Sequence, residues 1–314
     1  MQRGQLSAFS LYLKQLLVVV LPSQGFAAFM ETCPAERRAR RLLGVQGFET
    51  RKNDVVYASP LVAAEGAPVI VYFGGDVQDY RENMEAHRDN RRYARWDLES
   101  TAELLSSKFP KSHVMVVKPA RMELKTFSCY DNFVQFTAEI TPQIGGNWNA
   151  VAHLQLLLVS AFSLLNPPIS MEKQELQLIG FSKGCVVLNQ LLHELHFHKT
   201  TSLQVPDVLK RVVSMTWLDG GHAGGKDTWV VQRQVLQTFA QTGIGIDVHV
   251  TPYQVQDPNR PWIGKEEKRF SETLRALGAP IRRTLHFAEE SPSLHLHFQL
   301  LNDFEPSGDV SDAL

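Results

Sequence analysis

Gly180-Phe181-Ser182-Lys183-Gly184 stands between a short apolar run, Leu176-Gln177-Leu178-Ile179, and a second apolar stretch from Cys185 to Leu195. The first run has the length of a buried strand and the second reads as a helix, so Ser182 falls on the turn that joins them. Glycines on either side let strand and helix approach closely around a strained serine, and a serine held clear of a sheet in this way is a candidate nucleophile. The turn also sets the amide of Lys183 at a helix N-terminus, where it can donate to an oxyanion.

A serine of this kind needs a base and an acid later in the chain. A strand is predicted over 211–217, ending at Asp219 and a glycine-rich turn, with a helical pattern over 228–241 after it. A second strand, from Ile246 to Tyr253, leads to Asp257 and a helix over 264–277. The last unit is an edge strand over 281–287 followed by Ser291-Pro292-Ser293-Leu294-His295-Leu296-His297-Phe298, which opens a final helix. Ser182 is therefore the expected nucleophile, His297 the general base and acid, and Asp257 the carboxylate that orients the imidazole. Asp219 is the reserve acid and His295 the reserve base. Asp257 precedes a proline and also reads as an ordinary turn residue, and the chain holds eleven histidines, so position after the last strand is what raises His297 and His295.

Upstream, Ala67-Pro68-Val69-Ile70-Val71-Tyr72-Phe73 reads as a buried strand running into Gly74-Gly75-Asp76. Gly74 and Gly75 occupy the loop that supplies a second oxyanion donor in such folds, though the leading histidine of the usual HGGG pattern is missing. Further strand and helix units are expected at 113–118 with 98–109, and at 150–165 before the serine turn. Repeated strand-helix units place the chain in the α/β class, as an α/β hydrolase-like, mostly parallel sheet with helices on both faces and no separate cap domain. Residues 46–62 offer one or two antiparallel edge strands. Any lid must come from the long loops at 74–96 or 121–148.

Five blocks extend these features. They are Phe-Gly-Gly-Asp-Val-Gln-Asp-Tyr at 73–80, Phe-Ser-Cys-Tyr-Asp-Asn-Phe-Val at 127–134, Gly-Phe-Ser-Lys-Gly-Cys-Val-Val-Leu-Asn-Gln-Leu-Leu at 180–192, Trp-Leu-Asp-Gly-Gly-His at 217–222 and Thr-Pro-Tyr-Gln-Val at 251–255. Together they resemble the chromosome 2 open reading frame 69 protein family over about residues 67–300. The resemblance implies an α/β hydrolase-like fold, a eukaryotic mitochondrial setting, a family serine at Ser182 and a His-Phe pair at His297-Phe298. It implies no substrate.

Composition is compatible with one large core: 314 residues, 44% of them hydrophobic. A net charge of −1 and the lack of a basic stripe argue against nucleic acid as a partner. Cys33, Cys129 and Cys185 are too few and scattered for a disulfide framework or a zinc site, and Cys185 reads as a core residue of the elbow helix. No cofactor and no metal is called for; the expected partner is a small acyl substrate of unknown identity, and protein partners are undefined.

The first thirty residues carry Arg3 and Lys14 but no acid, and Leu16 to Leu21 is apolar. With the basic run Arg37-Arg38-Ala39-Arg40-Arg41, residues 1–41 read as a mitochondrial address, directing the protein to the matrix; a secretory signal is the alternative. The apolar run is too short to be a stable membrane anchor. The domain is then expected over 42–304, with a polar tail at 305–314.

Two motifs compete with this reading. Gly220 to Lys226 matches a GxxxxGK phosphate loop, but Asp227 stands where a Mg²⁺-ligating Ser or Thr is needed. His193-Glu194-Leu195-His196 resembles a metalloprotease helix, yet its histidines are three apart, and it reads as the solvated side of a helix. Three functions follow: a hydrolase or acyl transferase acting on an ester, thioester or amide through Ser182; a catalytically inactive protein of the same fold serving as a mitochondrial binding or assembly factor; and, third, a nucleotide-binding protein using the loop at 220–226.

Overall fold

The computed structural model describes residues 39–306 apart from 171, 172, 202 and 223. Most of the expected address segment and of the polar tail lies outside the described residues, as does Cys33.

The chain opens with β1 (Arg40–Gln46) and β2 (Lys52–Ala58), then β3 (Val69–Phe73). Next come α1 (Arg81–Ala86), a 3-10 helix over Asn90–Trp96, α2 (Leu98–Lys108) and β4 (His113–Val117). Two small hairpins follow, β5 (Arg121–Glu123) with β6 (Phe127–Cys129) and β7 (Gln135–Phe136) with β8 (Pro142–Gln143). The chain continues through α3 (Ala150–Ser163), β9 (Leu176–Phe181), α4 (Cys185–Thr200) and α5 (Asp207–Lys210). It closes with β10 (Val212–Leu218), α6 (Arg233–Ala240), β11 (Gly245–Val250), α7 (Pro252–Val255), α8 (Pro261–Ala276), β12 (Ile281–Leu285) and α9 (Leu294–Asp303).

Eight strands form one sheet in the order β1-β2-β4-β3-β9-β10-β11-β12. Pairs β1/β2 and β2/β4 are antiparallel and every later pair is parallel. β3, at the centre of the sheet, is apolar throughout because both its faces are covered. Alternation divides its side chains: Val69, Val71 and Phe73 of β3 join one core with α3, α4, α6 and α8, while Ile70 and Tyr72 join the other with α2 and α9. Full burial of each such side chain contributes about 1.5–3 kcal/mol. This is the α/β hydrolase-like architecture, a mostly parallel sheet with helices on both faces, and all described residues belong to one unit.

Several boundaries differ from expectation. The edge strands begin at Arg40, so Arg40 and Arg41 belong to the folded domain, and Arg41 forms ion pairs with Glu82 and Glu99. The helix expected from residue 228 starts at Arg233, because the amides of Thr228 and Trp229 donate to the Glu266 carboxylate instead of to a helix. Pro252 occupies the first turn of α7, and its fixed φ suits that place, so β11 ends at Val250. The loop at 121–148 holds the two hairpins and lies against the serine turn: Tyr130 Oη donates to the Gly74 carbonyl at 3.0 Å, and Gln190 Oε1 accepts from the Gly145 amide at 2.9 Å.

Candidate active site

The C-terminal ends of β3, β9, β10 and β11 deliver Gly74 to Asp76, Ser182, Asp219 and Thr251 to one end of the sheet, where open α/β folds build their sites. Ser182 has φ 52°, a left-handed conformation that costs a serine on the order of 1–3 kcal/mol and that its surroundings enforce. Those surroundings leave no room for side chains at the flanking glycines. A Cβ on Gly184 would lie 2.1 Å from the Phe73 carbonyl oxygen, and one on Gly180 would lie 2.8 Å from Cys185 Cα. Gly75 is equally constrained, since its Cβ would meet Ser182 Cβ at 2.5 Å.

His297, in the first turns of α9, is buried, and its Nδ1 lies 2.7 Å from Asp219 Oδ2. The ring is clasped by Phe181 on one contact (centroids 4.5 Å apart) and Tyr253 on another (4.9 Å). Phe181 immediately precedes Ser182, so the imidazole stacks on the serine's own turn. Asp219 is fully buried and directly follows β10; its Oδ1 accepts from the Thr251 amide at 2.8 Å and its Oδ2 from the Thr251 hydroxyl at 2.6 Å. With those bonds made, the carboxylate is held in place and turned toward the ring. Among the described residues no hydrogen bond joins the Ser182 hydroxyl to His297.

The preferred acid is elsewhere. Asp257 lies on a turn beyond α7, where Arg260 Nε donates to it at 2.7 Å and the Asn259 amide at 2.8 Å. Arg260 holds its carboxyl below the usual carboxylate range. Asp257 therefore orients a neighbouring arginine, and Asp219 takes the place beside the imidazole. His295 is exposed and touches Trp96 edge-on at 5.8 Å, so the reserve base points away from the serine turn's histidine.

Of the expected oxyanion donors, the Gly75 amide is already engaged. The Gly75 amide donates to Gln78 Oε1 at 3.1 Å, and Gly74 offers its carbonyl to Tyr130. Lys183 and Asp76 have amides that no described residue accepts from; the former is a first-turn N–H of the elbow, which a helix leaves unsatisfied. Asp76 carries a half-buried carboxyl whose Oδ1 accepts from the Ser128 amide at 2.7 Å and hydroxyl at 3.0 Å. Burial pushes that carboxyl up, against the opposing pull of Lys183.

The competing motifs resolve into internal caps. The amides of Asp227, Thr228 and Trp229 and the Thr228 hydroxyl all donate to the Glu266 carboxylate at 2.6–3.2 Å. An anion already fills the cradle a phosphate would need, and Lys226 is exposed beside Asp227. Glu194, expected on a solvated face, is fully buried and accepts from the Trp148, Ala150 and Val151 amides, each at 2.9 Å, capping α3. Cys185 is a buried thiol pushed up by burial. Among the described residues no cluster of His, Cys, Asp or Glu could hold a metal ion.

Thr251, Tyr253, Gln254 and Asp76 were not singled out as site residues by the sequence. Their signal was present in the blocks at 73–80 and 251–255, which no spacing rule connects to the serine.

A family model for C2orf69 matches residues 41–169 and 163–280. The Mus musculus protein named mitochondrial protein C2orf69 homolog is 40% identical over 279 residues, covering 74% of this chain and 76% of its own. The Homo sapiens mitochondrial protein C2orf69 is 40% identical over 280 residues, with 74% and 72% covered. The Danio rerio homolog is 36% identical over 291 residues, with 84% and 85% covered. Among solved structures, a thermostable esterase aligns with a TM-score of 0.45 at 14% identity over 83% of this chain and 56% of its own. A dienelactone hydrolase from Anabaena variabilis aligns with a TM-score of 0.42 at 13% identity over 85% and 96%. Likeness at that level adds nothing to the fold, which rests on the strand order. The family match spans most of the folded domain, and the chain belongs to the C2orf69 family.

Proposed function

We propose that this chain is a mitochondrial serine hydrolase acting on an ester, thioester or amide through an acyl-enzyme on Ser182. The observation that carries the reading is the buried 2.7 Å bond between His297 Nδ1 and Asp219 Oδ2, on a ring stacked against the residue before Ser182. An aspartate at Nδ1 leaves Nε2 as the basic nitrogen, which is the tautomer a general base requires. The Ser182 oxygen attacks the acyl carbon and its proton passes to Nε2; the proton then goes to the departing alcohol, thiol or amine. Water repeats the sequence on the acyl-enzyme and releases the acid. The amides of Lys183 and Asp76 are the candidate donors to the tetrahedral oxyanion. The mitochondrial setting follows the names of the relatives and the basic, acid-poor N-terminus.

A non-catalytic binding role in the same fold is the second reading, favoured by one feature: the Ser182 hydroxyl is not hydrogen-bonded to His297. Active hydrolases often tighten that contact only with substrate present. Fluorophosphonate labelling of the purified protein separates the two. Labelling that disappears in folded Ser182→Ala and His297→Ala variants is the expected result. A folded wild type that never labels, and hydrolyses no activated ester, would leave the binding role.

A further inference from the structure

Lys183 is both the residue after the nucleophile and a buried ammonium. Its side chain is 4% exposed, and its Nζ makes no hydrogen bond to a described residue. The nearest carboxylate oxygen, Asp76 Oδ1, is 3.9 Å away and already accepts twice from Ser128. The rings of Phe127 and Phe136 stand 5.9 and 5.4 Å from Nζ, a weak substitute for an acceptor. An ammonium has three protons to donate, and a single ion pair at 3.9 Å leaves them to be met by water or by a ligand acceptor.

A second unmatched group lies on the same turn system. Gln254 is 2% exposed, and its Oε1 is buried with no donor among the described residues. A Cβ on Gly221 would lie 2.7 Å from that oxygen, and the Gly221 amide reaches the Ser182 carbonyl at 3.4 Å. His222, next along, adds no competing charge: its Nδ1 accepts from the Gly224 amide at 3.0 Å, and burial keeps the ring neutral.

From these two groups we infer that the site selects a substrate bearing a carboxylate, which Lys183 Nζ binds, and a hydrogen-bond donor, which faces Gln254 Oε1. The inference deepens the hydrolase reading and rests on it. Because Lys183 directly follows Ser182, the carboxylate and the scissile carbonyl are bound by neighbouring residues of one turn. A neutral chain in that place would strip water from the ammonium and leave it only the 3.9 Å contact with Asp76, which is how a site built for a polar group rejects an apolar one. The carboxylate has two possible sources, the acyl part and the leaving group.

Two ester pairs distinguish those sources. Mono-4-nitrophenyl succinate against 4-nitrophenyl butyrate places the charge in the acyl part; 4-acetoxybenzoate against 4-acetoxybenzamide places it in the leaving group. One pair is expected to show the charged ester preferred by about tenfold or more in kcat/KM, with that ratio falling to near one in Lys183→Met and partly restored in Lys183→Arg. Lys183→Gln replaces the methionine variant should the latter fail to fold. A readout free of turnover is the thermal midpoint of Ser182→Ala protein with glutarate or with its uncharged diamide, where only glutarate should stabilise and only while Lys183 is present. Ratios near one in both pairs, unmoved in folded Lys183 variants of a protein that still labels at Ser182, with no glutarate shift, would overturn the inference and spare the hydrolase reading. A Lys183-dependent glutarate shift in a wild type that never labels would retain the carboxylate site and remove the hydrolase reading.

Discussion

His297 and Asp219 are 78 positions apart in the chain and 2.7 Å apart in space, joined Nδ1 to Oδ2 in a buried site. Asp219→Asn is expected to slow fluorophosphonate labelling of Ser182 by about a thousandfold or more, because an amide favours the wrong imidazole tautomer. Asp257→Asn, which only frees Arg260, is expected to stay within about twofold of wild type. Labelling rates of the two variants side by side check both; equal losses would contradict the assignment of Asp219.

Thr251 gives Asp219 two of its hydrogen bonds, one from the amide and one from the hydroxyl. Thr251→Val keeps the shape and the amide bond but deletes the second donor. Ester hydrolysis should fall by about 10- to 100-fold, while Thr251→Ser should recover most of it. Equal activity in Val and Ser variants would mean that the hydroxyl does not position the acid.

Gly184 and Gly225 give opposite expectations for one added methyl. At Gly184 the new Cβ would be 2.1 Å from the Phe73 carbonyl oxygen, so Gly184→Ala should cost about 3 kcal/mol or more or prevent folding. At Gly225 nothing lies within 4 Å, and Gly225→Ala should change stability by no more than about 0.5 kcal/mol. Urea denaturation of both variants measures the contrast.

Glu266 fills the amide cradle at Asp227 to Trp229, so the loop at 220–226 should not take a nucleotide. ATP or GTP with Mg²⁺ is expected to leave the thermal midpoint unchanged, and Lys226→Ala to do the same. Glu266→Ala should destabilise by about 1–3 kcal/mol, since it orphans several buried donors. A Lys226-dependent nucleotide shift would reopen the third function.

His153, His222 and His249 are each pushed down to about 4 by burial. His153 shows why: its Nδ1 accepts from the Phe48 amide at 3.0 Å and its Nε2 bonds Asn53 Oδ1 at 2.8 Å, so a second proton has no place. His249 faces His286 at 2.9 Å, which also disfavours charge. Each ring titrates near its ordinary 6.5 when the chain unfolds. Their stabilisation is therefore complete above that value and is lost as pH falls through the interval down to about 4, at no more than about 2 kcal/mol per group near pH 5. Urea midpoints across that interval should fall, with a shallower slope in His153→Gln; a flat profile would show that the rings are solvated.

Position along the chain was enough to identify the elbow, because strand period, two glycines and a helix are local features that physics ties to a few neighbouring residues. The same holds for the parallel strands from β3 to β12, whose apolar runs and intervening helices allow few other arrangements. The His-Phe pair at 297–298 was legible through its place after the last strand and the resemblance. What the order of residues did not contain was the choice of acid. Asp219 and Asp257 each follow a strand in sequence, and only the folded molecule shows α7 beginning at Pro252 and carrying Asp257 off to Arg260, while α9 lowers His297 onto Asp219. The roles of Glu266 and Glu194 were hidden for the same reason. Each carboxylate answers amides contributed by a distant segment, and which donors a carboxylate meets is settled by tertiary packing, where every buried N–H must find an acceptor.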